Sequence, residues 1–391
     1  MLGRLVLGLT VATALGGCSS TTSPLATPSA GPAATPVASA TIEPTPSPSQ
    51  AAIASPTLLR LAFMSYIPGA NDANLAQIFV TDIAPSNLEG SSLRQLTTHA
   101  APREGRVYSW ARSANRVAYE DDRHGIALIN GDGSGSLDLS APGPTSACDS
   151  GPALSPDGSI VAFVQTLDDC QGSGNGRVLV FTPSTGLLVE VAQPPGAGDA
   201  NPVWSPDGRR LAFVRQAPGK ESEIIVVNLD GTGSRALTSG QSPVWSPDGT
   251  KIAFTRTVAR NGAAFRHIFT IGADGSNLTS LTNVASVDEG DVTWAPDGSR
   301  LAFSSNRDGV TYWIYVIDLA TRHVTRLTHS GDTSLFDSQP DWSATDDLIT
   351  FERGSQTVTD ACVVRIDGSG FVDLTATSGS TNSFAPSWVP G

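Results

Sequence analysis

The sequence predicts an all-β fold: a seven-bladed β-propeller of four-stranded antiparallel blades, closed by the C-terminal strand. Three recurring features carry that expectation. A Trp-Ser-Pro-Asp-Gly turn precedes a Leu-Ala-Phe or Ile-Ala-Phe strand at Trp204 to Phe213 and Trp245 to Phe254, and again, with Ala295 in place of Ser, at Trp294 to Phe303. A small residue before an aromatic one recurs at Ala62-Phe63, Ala118-Tyr119, Ala162-Phe163, Ala212-Phe213, Ala253-Phe254, Ala302-Phe303 and Thr350-Phe351. Leu-Thr pairs at Leu96-Thr97, Leu237-Thr238, Leu281-Thr282, Leu327-Thr328 and Leu374-Thr375 close the copies. A period of about 40 to 56 residues suits a ring of small sheets, because one such unit cannot bury its apolar face alone.

The chain opens with Arg4 and an apolar run from Leu5 to Leu15. That run is too short to cross a bilayer as a stable helix and reads as an export signal. Leu15-Gly16-Gly17-Cys18 resembles a bacterial lipobox, so residues 1–18 are expected to be a lipoprotein signal peptide with Cys18 as the lipidated residue. Residues 19–57 are almost entirely Ser, Thr, Pro and Ala, with Glu43 the only charged residue. Such a segment has nothing with which to bury a core and is expected to be a disordered stalk. Extended at roughly 3.1 Å per residue, it would reach up to ~100 Å.

Residues 58–391 are expected to form the propeller as one domain. The full chain is 39% hydrophobic and only 16% charged, with 39 Gly and 27 Pro, as many short strands joined by turns require. The innermost strand of each blade is marked by Trp110, Leu154, Trp204, Trp245, Trp294, Trp342 and Trp388. Six of the seven tryptophans therefore serve the repeat, which points to packing between adjacent sheets. Pro, Asp and Gly after the Trp match a type I turn into the second strand. Third strands such as Ile224 to Val227 and Ile314 to Val316 follow, and Asp-Gly at residues 132, 230, 274 and 367 makes the hairpin to the fourth. The first copy lacks its Trp leader, whereas Ala385-Pro386-Ser387-Trp388 is a leader with no blade after it. The C-terminal segment is therefore expected to complete the blade begun at Leu58, leaving no free sheet edge.

These motifs together, Pro-x-Trp-Ser-Pro-Asp-Gly, Leu-Ala-Phe, Ile-Tyr-Val, Asp-Gly and Leu-Thr, resemble the WD-like repeats of the TolB-type propeller family over roughly residues 58–391. The resemblance implies the fold. It leaves function open, because that family includes envelope scaffolds, peptidase propellers and polysaccharide lyases. The chain has no Gly-x-Ser-x-Gly elbow, the signature of the hydrolase domain that accompanies the peptidase relatives.

Cys148 and Cys170 flank the first two strands of the third copy and are expected to form a disulfide in an exported domain. No zinc pattern is formed, and no two of the five histidines have metal-binding helical spacing. The sequence thus predicts no catalytic residue, no metal site and no cofactor. The segments entering the innermost strands contain Glu104, Asp149, Asp199, Asp288, Glu289, Asp291, Asp337 and Asp341. They are expected to gather at one channel mouth as a binding site. With a net charge of −13, nucleic acid and anionic membrane surface are disfavoured as partners. The expectation is a non-catalytic lipoprotein, exported and held to the bacterial cell membrane only by its N-terminal lipid, that binds an envelope protein or polysaccharide. The alternatives are a polysaccharide lyase or hydrolase at the channel mouth and a small-ligand or cation sensor.

Overall fold

Every strand among the described residues belongs to one of seven four-stranded antiparallel sheets. The computed structural model describes residues 58–66, 76–88, 90, 93–98, 108–111, 113–121, 125–139, 147–167, 175–192, 196–260, 262–355, 358–376 and 382–389. The expected signal peptide, the lipidation residue Cys18 and the stalk at 19–57 lie outside them.

Blade 1 combines the two ends of the repeat region. Ser383–Val389 is its innermost strand, followed outward by Leu59–Tyr66, Ala76–Ile83 and Arg94–Gln95. Trp388 pairs with Leu61 and Phe384 with Met64, so the ring closes through the C-terminal strand as expected. The other innermost strands are Tyr108–Trp110, Cys148–Leu154, Gly198–Trp204, Gln241–Trp245, Glu289–Trp294 and Phe336–Trp342, in blades 2 to 7. Successive side chains of a strand point to opposite faces, and that alternation explains the small-aromatic pair. Phe213 packs against blade 3, whereas Ala212 faces Trp245 and Phe254 of blade 5. Seven buried apolar clusters result, one at each junction between neighbouring blades.

The polar letters of the repeat fix the turns. In blade 4 the N–H of Gly208 donates to Ser205 O at 2.9 Å, closing the turn between the first two strands. Asp207 accepts from the Ser205 hydroxyl and from Arg209 N, and Ser205 Oγ accepts from Arg210 N. The Leu-Thr pair has a local purpose too. Thr97, Thr282, Thr328 and Thr375 each accept the N–H of a third-strand residue through Oγ1, at 2.9 to 3.1 Å.

Six innermost strands share one irregularity among the described residues. Three residues before the Trp position, Gly151, Asn201, Ser242, Asp291, Gln339 and Ala385 all have positive φ, between 50° and 58°. Each sits at a break in register with the second strand. This is a β-bulge, which turns the strand and re-aims the side chains before it.

Candidate functional site

The channel that the innermost strands enclose has two chemically different ends. At the end where chain enters each innermost strand, the carboxylates read from the sequence occupy repeat-equivalent positions, two residues before the bulge: Asp149, Asp199, Glu289 and Asp337. The structure buries all four, with exposures of 6%, 1%, 0% and 0%. Arg215 holds Asp199 bidentately at 2.7 and 2.8 Å, and Arg353 holds Asp337 at 2.8 Å through both Nε and Nη2. Arg307, Thr282 and His267 surround Glu289. Gln165 donates to Asp149 at 2.8 Å and itself accepts from Arg177. Burial pushes the Asp199 carboxyl above the usual carboxylate range, with Arg215 opposing it.

The remaining acids of this end are engaged as well. Asp288 accepts from Arg266 and from the Tyr312 hydroxyl at 2.9 Å; burial works to raise its carboxyl, but these donors outweigh it and hold it low. Asp291 accepts from Ser304 Oγ at 2.7 Å. Asp341, grouped with them from the sequence, is not at this end: it lies past the bulge, one residue before Trp342, lines the cavity at the opposite end and joins blade 7 to blade 1, accepting from Ser387 Oγ at 2.8 Å and Trp388 N at 3.0 Å. Glu104 lies outside the described residues. The expected acidic mouth is thus a set of carboxylates individually tied to arginine, hydroxyl or backbone donors in the blade walls.

Sequence reading missed the partners, although they leave a signal. An arginine stands two residues after the second-strand aromatic in Phe213-Val214-Arg215, Phe254-Thr255-Arg256 and Phe351-Glu352-Arg353, and residues i and i+2 share a face of a strand. Blade 5 has Gly240 where blades 4 and 7 have Asp199 and Asp337, and there Arg256 donates to Ser239 O at 2.8 Å instead. Two further glutamates reach the bulges of the next blade: Glu120 accepts from Gly151 N at 2.7 Å, and Glu352 accepts from Ala385 N.

The opposite end, near the Trp-Ser-Pro-Asp-Gly turns, holds a cavity of about 550 Å³ lined by all seven innermost strands. Trp110, Trp245, Trp294, Trp342 and Trp388 line it, with Pro152, Pro202, Pro247 and Pro296 between them. The indoles fall into two groups. Trp204, Trp294 and Trp388 donate through Nε1 to Ala153 O, Val244 O and Asp341 O of the preceding blade, at 2.8 to 3.1 Å. Trp110, Trp245 and Trp342 carry buried Nε1 donors with no acceptor.

The cysteines divide similarly. Cys148 is buried and disulfide-bonded, and Cys170, its expected partner, lies outside the described residues. Cys362 is a free thiol at 0% exposure in the third strand of blade 7, pushed up by burial. Among the described residues no group of three or more His, Cys, Asp and Glu is placed to hold a metal ion.

The TolB beta propeller domain matches residues 149–264 and 241–391. The chain belongs to that family. Among solved structures, this TolB-family propeller is similar to a Mycobacterium tuberculosis puromycin-hydrolyzing peptidase, at 17% identity over 81% of this chain and 53% of that one, with a TM-score of 0.59. It spans about half the length of that peptidase. Oligogalacturonate lyase from Vibrio parahaemolyticus is similar at 14% identity over 76% of this chain and 88% of that one, TM-score 0.56. TolB from Acinetobacter baumannii aligns at 19% identity over 82% and 81% of the two chains, TM-score 0.49. No curated protein matches the chain. The likenesses to the peptidase and the lyase concern the fold alone.

Proposed function

We infer that this TolB-family propeller is a non-catalytic binding protein of the cell envelope, exported, held to the membrane by a lipid on Cys18, and engaging an envelope protein through its channel. The observation that carries the reading is the contrast between the two channel ends. Acid-base chemistry needs carboxylates free to exchange protons with a substrate. Here Asp199 and Asp337 are each held bidentately by the Nε and Nη2 of an arginine inside the wall. The Trp-lined end instead offers a concave surface in which tryptophan and proline alternate with polar groups such as Ser109, Asn201 and Thr293, and its volume of about 550 Å³ falls within the range that recognition pockets occupy.

Two experiments test this. Whole-cell crosslinking, with a photoreactive residue placed at Ala344 beside the cavity, is expected to give one discrete protein adduct. Incubating the purified protein with oligogalacturonate and manganese is expected to give no cleavage product. A product above the no-protein control would replace the binding reading with the lyase reading.

A further inference from the structure

We propose that the second and third strands of blade 5 project from the channel entrance as a basic two-stranded ribbon, and that its free edge binds an acidic extended peptide segment by strand addition. The acids of that segment meet Arg256 and Arg260. The proposal goes beyond the binding reading above, because this surface lies at the end of the channel opposite the Trp-lined cavity.

In blades 3, 4, 6 and 7 the second strand ends opposite the first residue of the innermost strand, at Thr166, Gln216, Ser305 and Gly354. In blade 5 that point is Thr255, opposite Gln241, yet Lys251–Arg260 runs on for five residues, paired with Ala263–Gly272 as far as Arg260 and Ala263. At about 3.4 Å per residue, the extension is about 17 Å long. Beyond Thr255 its channel-side edge pairs with no other strand among the described residues. The ribbon is also free of acids: residues 251–272 include Lys251, Arg256, Arg260, Arg266 and His267 and no Asp or Glu, in a chain of net charge −13.

Two of these cations lack a counter-charge. Arg266 is held by Asp288, but among the described residues neither Arg256 nor Arg260 has a carboxylate within ion-pair distance. Arg256 stacks on Phe254 and Phe269 and donates only to Ser239 O and Thr238 Oγ1, both uncharged; its Nη1 has no acceptor and is not buried. Blade 5 has no room for an acid at position 240, where a Cβ would lie 2.5 Å from the ring of Phe254. Arg260 is exposed and donates only to Asn283 Oδ1. Arg256, Val258 and Arg260 fall on one face of the strand, and Phe265 stands across from Val258. A partner strand carrying an acid, an apolar residue and an acid at alternate positions matches that face.

An edge bearing arginines repels a second copy of itself, which disfavours pairing between two of these chains and selects the opposite charge. A polyanion with no peptide backbone would meet the arginines and leave the edge unused, whereas a peptide uses both, through main-chain hydrogen bonds and side-chain charge. At 0.15 M ionic strength the screening length is about 8 Å, so the tip of a ribbon about 17 Å long stands largely outside the field of the acids in the blades.

The probe is the peptide Ser-Glu-Thr-Val-Thr-Glu-Ser, acetylated and amidated at its ends, added to the full chain labelled with 15N. Saturable shifts are expected in the backbone amides of residues 256–260, with affinity falling as salt is raised. Arg256→Gln should weaken affinity about tenfold and Arg260→Gln about two- to fivefold. Arg260 is exposed and donates only to Asn283, so its variant tests the proposal even where Arg256→Gln loosens the blade. Arg209→Gln removes the same charge from the turn between the first two strands of blade 4 and should leave affinity unchanged. Only every second N–H of an added strand faces the edge it joins. Methylating the peptide's backbone nitrogens on one alternate set of residues should therefore abolish binding, and on the other set should not. Absence of a saturable shift overturns the proposal, as does equal affinity for the glutamine version of the peptide, for Ser-Glu-Thr-Val-Glu-Thr-Ser, which puts its acids on opposite faces, or for polyphosphate of equal charge. Equal behaviour of the two methylated sets overturns strand addition, and a loss with Arg209→Gln as large as that with Arg260→Gln reduces the effect to net charge and overturns it too.

Discussion

At the scale of single residues, the acids at the channel entrance show how charge is used in this molecule. Asp337 is fully buried and held by Arg353, whose side chain is only 13% exposed. Removing one member of such a pair strands the other charge, which typically costs about 3 to 5 kcal/mol. Asp337→Ala is therefore expected to lower the unfolding free energy measured in urea by that much, and Asp337→Ala combined with Arg353→Met to recover most of it. A double variant no more stable than the single one would mean that the pair is not the source of the loss. The indoles give a finer comparison. Trp204→Phe leaves Ala153 O without its donor and should cost about 1 kcal/mol, whereas Trp342→Phe removes a donor that has no acceptor. In unligated protein, Trp342→Phe should thus be the less destabilising of the two in urea unfolding.

At the scale of elements, the blade was legible because its rules are local. Pro, Asp and Gly in the turn, the Ala-Phe alternation and the Leu-Thr terminus act within one strand or one hairpin, and each repeats often enough to be counted. The closure of blade 1 was legible by subtraction, since Trp388 is a leader without a blade and Leu59–Tyr66 a second strand without a leader. The clasps were not. Asp199 and Arg215 are brought together by antiparallel register across a turn, and Asp341 reaches Trp388 across 47 positions in the chain. A list of acids in entering loops does not show which arginine, hydroxyl or neighbouring blade takes each one. The bulge was hidden for a related reason: Gly151, Asn201 and Asp291 are residue types that favour a positive φ, but Ser242, Gln339 and Ala385 at the equivalent positions are not. Closure yields a prediction at this scale. Without residues 383–391, Leu59–Tyr66 would present an unpaired edge to the channel, and Tyr108, which donates to Ala62 O and Ala385 O, would lose one acceptor. Removing that segment should abolish the single cooperative thermal transition seen by circular dichroism. A truncated chain that still unfolds in one transition at the same midpoint would show that the ring does not depend on this strand.

At the scale of the whole molecule, the turns repeated in the blades set the response to pH. Hydrogen bonds from Ser155, Ser205 and Ser246 hold Asp157, Asp207 and Asp248 below the usual carboxylate range, and Ser299 does so for Asp297. In the turns between third and fourth strands, Ser134, Thr232, Ser276 and Ser369 have the same effect on Asp132, Asp230, Asp274 and Asp367. A carboxyl whose folded pKa is depressed adds stability that is complete above its unfolded value, about 3.9 for Asp, and that is lost as pH falls through the folded value. Burial raises Asp199, Asp346 and Asp360, and these work in the opposite direction, favouring the fold on acidification. With Asp318, which Thr321 holds low in the corresponding turn of blade 6, nine depressed groups in the turns against three raised ones leave the balance with the turns. A second opposing effect is global: at a net charge of −13, protonation relieves self-repulsion. That repulsion acts over distances that 0.15 M salt largely screens, whereas hydrogen bonds inside a turn are not screened. Thermal unfolding in 0.15 M salt is therefore expected to show a midpoint nearly constant from pH 7 to about 5 and falling steeply below about pH 4. A midpoint that rises on acidification in the same salt would mean that buried carboxylates and net charge, and not the repeated turns, govern the stability of the ring.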